Sequence, residues 1–394
     1  PSVMATELMQ SYHITAAQLG NLVAFYYYAY MPMQIIVGIF MDRYGPRLLV
    51  TMACLMCAVG TYLFACSDVL AIAQTGRFLV GFGSAFAFVG ALKLATIWLP
   101  MRRFALFSGI IVALGNVGAM VGDVALTTMV QHQTWRQACM MSAALGIVLA
   151  IFIVMIVRDR NSNIPKEFQQ DHINESFGHV LSGLWQALKR KPIWFNGLVA
   201  GLTYIPTTAF AELWGIPFLK QARGFTSHEA AITVSMIFLG WVIGCPVVGF
   251  ISDHIGRRVL PMMVGAAVAL VISCIILYGA AMSVHATMGL FFLLGLFACV
   301  QVLVFAYGRE SSPRNIAGTA IALTNAFAMV GGVIFQPVIG VLLDKRWTGG
   351  MLDGVRVYDA ASFQYALSVI PIGLAVSLVI MLMMRETRCH APDA

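Results

Sequence analysis

Along this chain, apolar residues come in blocks of about 20, parted by short polar clusters that hold most of the charges. A helix of that length crosses the hydrocarbon of a bilayer, where every backbone N–H and C=O must be paired internally. The pattern predicts eleven spans, at roughly 19–40, 47–66, 70–97, 103–127, 137–157, 193–219, 229–252, 259–281, 286–308, 315–343 and 363–384. Residues 1–12 read as the last turns of one more, so twelve spans are expected, with the first largely missing from this chain. The fold class that follows is an all-α membrane protein.

Orientation comes from the cations of the short loops, which collect on the cytoplasmic side. Arg43 and Arg47, Arg102 and Arg103, Arg257 and Arg258, and Arg309 and Arg314 fall in alternate loops, and Arg385 and Arg388 in the tail. The 158–192 segment adds six more cations and is the one long polar stretch. It is expected to cross the cytoplasmic face and to join an N-terminal bundle, 1–157, to a C-terminal bundle, 193–394. Both ends of the intact chain then lie inside, which requires an even number of spans.

Composition agrees. Of 394 residues, 60% are hydrophobic and only 10% charged, against about 25% charged in soluble domains. The net charge of +7 does not point to nucleic acid, because the cations sit in loops between spans and form no face. The eight cysteines lie mostly inside apolar runs, so the Cys54–Cys57 pair reads as core. No nucleotide-binding loop, metal cluster or catalytic triad is present, and the longest polar segment is too short for an ATP-hydrolysing domain. No cofactor or metal is expected, and no enzymatic activity.

The two halves repeat. Gly38-Ile-Phe-Met-Asp42-Arg43-Tyr-Gly45-Pro46-Arg47 aligns with Gly249-Phe-Ile-Ser-Asp253-His-Ile-Gly256-Arg257-Arg258, an offset of 211 from Asp42 to Asp253. Asn116-Val-Gly-Ala-Met-Val-Gly122 aligns with Asn325-Ala-Phe-Ala-Met-Val-Gly331, an offset of 209 from Asn116 to Asn325. Gly109 and Gly318 precede those asparagines by the same spacing. Parallel six-helix repeats about an axis along the membrane normal are one known transporter design.

G-x-x-x-D-R-x-G-x-R between the second and third helices, with a relaxed copy between the eighth and ninth, resembles the signature loop of the major facilitator superfamily. Arg77 in Gly-Arg-Phe-Leu-Val-Gly-Phe-Gly resembles that family's fourth-helix arginine, and Trp135-Arg136 and the Arg309-Glu310 to Asn325 run resemble further recurring features. The resemblance covers the whole chain and implies two pseudo-symmetric six-helix bundles. It also implies that Asp42 and Asp253, with Gly38, Arg43, Gly45, Arg47, Gly256, Arg257 and Arg258, form gating latches that break as the cytoplasmic side opens. Two departures are clear: the fifth helix lacks the Gly-Pro pair of the antiporters, and Pro46 replaces a commonly basic position.

Charges inside spans are costly and functional by default. Arg77 and Asp123 lie at nearly equal distances from the bend at 98–102, so they reach one depth in an antiparallel hairpin and are expected to pair. Glu212, near the outer end of the 193–219 span, is a second candidate proton carrier beside Asp123. On the second helix Tyr27, Tyr30 and Gln34 share a face, suiting a cavity wall, and Trp241, Gln301 and Asn325 are placed on the opposite wall. Arg77 with these residues is the expected substrate site. The small-residue clusters Gly115/Gly118/Gly122 and Gly331/Gly332 are expected at close helix contacts.

The expected function is secondary active transport of a small anionic or zwitterionic metabolite, such as an organic acid, an amino acid or a citrate-like siderophore. Its direction is expected to be proton-coupled import across a bacterial inner membrane by a monomer, with solute, protons and lipid as partners. Export of drugs or metabolites by proton antiport, and a non-transporting sensor on the same fold, are the alternatives.

Overall fold

A computed structural model of the chain describes residues 1–98, 101–159, 177–313, 316–352 and 354–388. Side chains at 42, 96, 101–106, 108–109, 177–181 and 317 lie outside that description. The middle of the expected linker, 160–176, also lies outside the described residues, as does the carboxylate of Asp42 on which the first latch was expected to turn.

The chain opens with a 3-10 turn (Ser2–Met4) and α1 (Ala5–Tyr12), followed by α2 (Ala16–Tyr44), α3 (Pro46–Cys66), α4 (Leu70–Trp98), α5 (Met101–His132) and α6 (Trp135–Ile156). Then come α7 (Phe177–Leu188), α8 (Lys191–Thr203), a π-helical segment (Pro206–Trp214), α9 (Gly215–Arg223), α10 (Ser227–Ile255) and α11 (Val259–Tyr278). The chain continues with α12 (Val284–Ala298), a 3-10 stretch (Cys299–Val302), α13 (Leu303–Glu310) and α14 (Ala317–Lys345). A small hairpin of β1 (Met351–Leu352) and β2 (Val355–Arg356) leads to α15 (Ala360–Leu367) and α16 (Val369–Met383).

Among the described residues, ten helices are long and apolar enough to cross a membrane. The one remaining expected span, 193–219, is a rod in three pieces: α8, the π segment and α9. Pro206, which has no N–H to donate, begins the π segment. The linker is not wholly irregular either, since α7 falls within it.

The internal repeat is written into the backbone. Thr15 caps α2 and Thr226 caps α10, each in a reciprocal capping box, with Gln18 and Glu229 respectively. The two threonines stand 211 apart, as the signature aspartates do. His13 and Gly224, also 211 apart, are both left-handed, with φ of 52° and 72°. A carboxylate after the last span of each half caps the third. Asp159 accepts the backbone N–H of Arg47 at 2.7 Å, and Glu386 accepts those of Arg258, Val259 and Leu260 at 2.8, 3.0 and 2.8 Å. The side chains then diverge. Arg258 pairs with Asp253 at 2.6 Å and Glu310 at 2.8 Å, whereas Arg47 donates to the carbonyl of Val154.

The halves meet along two pseudo-equivalent seams, α2 against α14 and α5 against α10. In the first, glycines let backbones touch. A Cβ on Gly20 would lie 2.4 Å from the Gln336 carbonyl oxygen, one on Gly340 2.3 Å from that of Ala16, and one on Gly332 2.4 Å from the Tyr27 ring. Gly331, beside it, is also close-packed, but within its own half: a Cβ there would lie 2.7 Å from Thr208 Oγ1 of the π segment. The second seam corrects an expectation: Gly115, Gly118 and Gly122 have nothing within 4 Å of a built Cβ. Where α5 joins the core it does so through larger side chains such as Met120, Leu126 and Val130.

This asymmetry can be tested. Gly332→Ala must displace the Tyr27 ring and should destabilise by roughly 1–3 kcal/mol, as overpacking does. Gly118→Ala should be neutral or gain about 0.5–1 kcal/mol from helix propensity. Thermal unfolding in one detergent reads both; equal shifts would contradict the packing described.

Candidate functional site

Among the membrane-spanning helices, where the halves face each other, lies a cavity of about 450 Å³, walled by α2, α4, α5, the π segment, α10 and α14. Ser2 and Val3 close one side.

The break in the α8–α9 rod shapes one wall. Where α8 ends, the carbonyl of Tyr204 accepts the N–H of both Thr207 and Thr208 at 3.0 Å, and Gly215 N–H reaches back five residues to Phe210. This wider winding is pinned by α14. Gln336 Nε2 donates to the Thr208 carbonyl at 2.6 Å, and Trp214 Nε1 donates to the Gln336 carbonyl at 3.1 Å. Glu212, between those two anchors, receives a hydrogen bond from the Tyr27 hydroxyl. Tyr27 reaches it from the opposite half because its ring lies flat on Gly332.

Arg77 enters from α4, which lies directly on α2: a Cβ on Gly81 would strike the Tyr26 carbonyl. Its guanidinium sits 5.2 Å above the Tyr26 ring, an attractive cation–π contact. Tyr26 in turn stacks on Tyr30 at 5.4 Å. Arg77 Nη2 reaches the Val23 carbonyl only at 3.5 Å, and its buried Nε has no acceptor among the described residues.

Asp123 lines the same cavity from α5. The expected Arg77–Asp123 pair is not formed: among the described residues no ion pair joins them. Equal distance from the hairpin bend fixes depth, not rotation about the helix axis, and the guanidinium has turned to Tyr26.

Five of the expected site residues therefore share the cavity wall: Tyr27, Tyr30, Arg77, Asp123 and Glu212. Gln34 does not line it. It accepts a hydrogen bond from Asn325 Nδ2 at 2.7 Å, a polar contact across the α2–α14 seam. Trp241 stands behind the wall, edge-on to Tyr204 at 5.4 Å, with its Nε1 buried and unpartnered among the described residues. Gln301 is buried in the 3-10 stretch and is not among the lining residues. Of the signature loops, Gly45 and Gly256 take the positive φ that only glycine adopts easily, 79° and 63°. Arg43 lies over the Tyr44 ring, Arg257 gives its backbone N–H to the Ser252 carbonyl, and Gly38 has open space beside it.

Sequence reasoning missed Tyr204, Phe238 and Met329, and left Tyr26 outside the site. A signal for Tyr204 was at hand: Pro206, two residues on within a span, marks a local break in the helix.

The Major Facilitator Superfamily model matches residues 1–347. The "Probable sulfoacetate transporter SauU" of Cupriavidus necator is 25% identical, over 87% of this chain and 83% of the relative. The "Hexuronate transporter" of Escherichia coli is 24% identical, over 90% and 85%. Among solved structures, a bacterial homologue of the lysosomal transporter Spinster, inward-facing and unoccupied, superposes with a TM-score of 0.74 at 14% identity, covering 97% of this chain and 90% of that one.

Double-mutant cycles test the charge arrangement. With no direct contact, Arg77→Gln combined with Asp123→Asn should show a coupling below about 0.5 kcal/mol in thermal stability. Tyr27→Phe with Glu212→Gln, which share a hydrogen bond, should couple by more than that. The reverse order would contradict the geometry.

Proposed function

We propose that this chain, which belongs to the major facilitator superfamily, imports a small organic anion together with protons. Its place is plain: it is a multi-pass transporter of the bacterial inner membrane, and its membership sets it apart from enzymes. What it carries, and how uptake is driven, are inferred.

One observation carries the reading. Arg77 is a cation inside a membrane-spanning helix, facing the cavity, with no carboxylate paired to it among the described residues and one nitrogen without an acceptor there. A lone charge inside a span is costly, by about 2.5–3.5 kcal/mol on the insertion scale where it sits at the helix centre, and is functional by default. A bound carboxylate or sulfonate supplies the missing acceptor and, being planar or tripodal, fits a guanidinium's fork of donors. The two relatives are named for a sulfonated acid, sulfoacetate, and a sugar acid, hexuronate, which share that chemistry.

Charge counting gives the coupling. Arg77, Asp123 and Glu212 share the cavity wall, so with both acids ionised its charge is already negative. Adding an anion there is unfavourable unless a carboxyl takes up a proton. Glu212, hydrogen-bonded to Tyr27 across the two halves, is the carboxyl whose protonation alters a contact between bundles. Cross-half bonds at Gln34–Asn325 and at Ala17–Asp344 (2.9 Å) are those that must exchange as the cavity changes sides. Helix α5 is unbroken and lacks the antiporters' Gly-Pro pair, which favours import over proton-driven export.

Proteoliposomes loaded at pH 7.5 and diluted to pH 6, offered radiolabelled sulfoacetate or galacturonate, test both parts. Wild-type protein should accumulate one of them. Arg77→Gln should lower its uptake by about ten-fold or more, the loss of one charge-assisted contact. Glu212→Gln should lose gradient-driven accumulation while keeping exchange of internal for external solute. Wild-type uptake by Arg77→Gln would end the anion reading; gradient-driven accumulation by Glu212→Gln would end the coupling role.

A further inference from the structure

Helix α7 has two unlike faces. Leu184, Ala187 and Leu188 pack against Ile193, Ile316, Ala320 and Leu323, and Gly183 brings Thr319 close. The other face carries Ser182, Trp185 and Gln186, with Trp185 63% exposed. Only Lys189 and Arg190 separate α7 from α8. Because α8 leads into the membrane, α7 is held at the level where that helix enters it.

Two indoles mark the same level. Trp194, 45% exposed, donates its Nε1–H to the Leu188 carbonyl at 2.8 Å. Lys189 Nζ lies 5.0 Å over the Trp185 ring. Exposed tryptophans collect at the headgroup level of a bilayer, where an apolar ring and a polar N–H are both accommodated. Lys189-Arg190-Lys191 is a run of three cations, and among the described residues no carboxylate pairs with any of them. Arg47 and Arg258 differ: their guanidinium groups are bound by protein acceptors at the same end of the molecule.

We propose that the outer face of α7, with Lys189, Arg190 and Lys191, binds the headgroup of an acidic phospholipid of the cytoplasmic leaflet. The two indoles lie in the interface, and the cations meet the phosphate, as basic residues do near an anionic surface. The occupant follows from charge complementarity: three uncompensated cations beside two interfacial indoles on a face that no part of the chain covers among the described residues.

The test uses the full chain in nanodiscs of phosphatidylethanolamine doped with brominated lipid, which quenches tryptophan on contact. The difference between wild type and Trp185→Phe isolates Trp185 among the seven tryptophans. Brominated phosphatidylglycerol should quench that signal at least about two-fold more than brominated phosphatidylethanolamine, as a lipid-specific surface attraction requires. The K189Q/R190Q/K191Q variant should erase the preference, while Arg385→Gln, at the same end of the molecule, should keep it. Equal quenching by both lipids in wild type, or a preference that survives in the triple variant, would overturn the site. If the triple variant does not fold, wild type compared at roughly 0.05 M and 0.5 M salt decides the matter instead, since a headgroup contact of this kind is screened. A preference that falls supports the site, and one unmoved by salt overturns it.

Discussion

The close approach of α2 to α14 is the contact on which the rest depends. Within a membrane no hydrophobic force drives helices together, so backbones approach where small residues let them. Gly20, Gly332 and Gly340 do this along most of the seam. The consequences accumulate. Tyr27 is laid on Gly332 and thereby reaches Glu212. Gln336 is brought against the π segment and holds its wide turn. Gln34 meets Asn325 at one end of the seam, and Ala17 N–H meets Asp344 at the other. A single pair of helices thus fixes the site's geometry and carries the bonds between halves.

The site itself is built from a mismatch. Its cation is held by an aromatic face and a distant carbonyl, while its two carboxylates are placed elsewhere on the wall. In a structural ion pair these charges would cancel each other at short range. Here the three charged side chains come from three different helices, α4, α5 and the π segment, and the cation faces the cavity without a carboxylate paired to it among the described residues. The pseudo-symmetry sharpens the point: Asp123 stands where the other half has Gly332, at the same 209 offset that relates Asn116 to Asn325. The two pseudo-equivalent seams both border the cavity, but only the α2–α14 seam is closed by glycines in backbone contact.

Much of this was legible in the sequence, for physical reasons. Apolar blocks of fixed length announce spans, loop cations announce sidedness, and a charge in a span announces function. Those signals lead to Arg77, Asp123, Glu212, Tyr27 and Tyr30, all of which face one cavity. They do not give helix rotation. Arg77 and Asp123 match in depth yet do not touch, and Gln34 shares a helical face with Tyr30 yet turns to Asn325. Nor does periodicity show a π segment: Glu212 meets Tyr27 from within a stretch whose winding changes after Pro206. The open second seam was hidden for a similar reason, since a glycine cluster reads the same whether another helix fills its groove or leaves it empty.

If anion and proton bind the one cavity together, each must raise the affinity of the other. Calorimetric titration of the purified transporter with a transported anion, in buffers of differing protonation enthalpy at one pH, counts the protons taken up per anion bound. Joint binding predicts net proton uptake in wild type and less in Glu212→Gln, with the anion still bound. Binding that takes up no proton in wild type would contradict it.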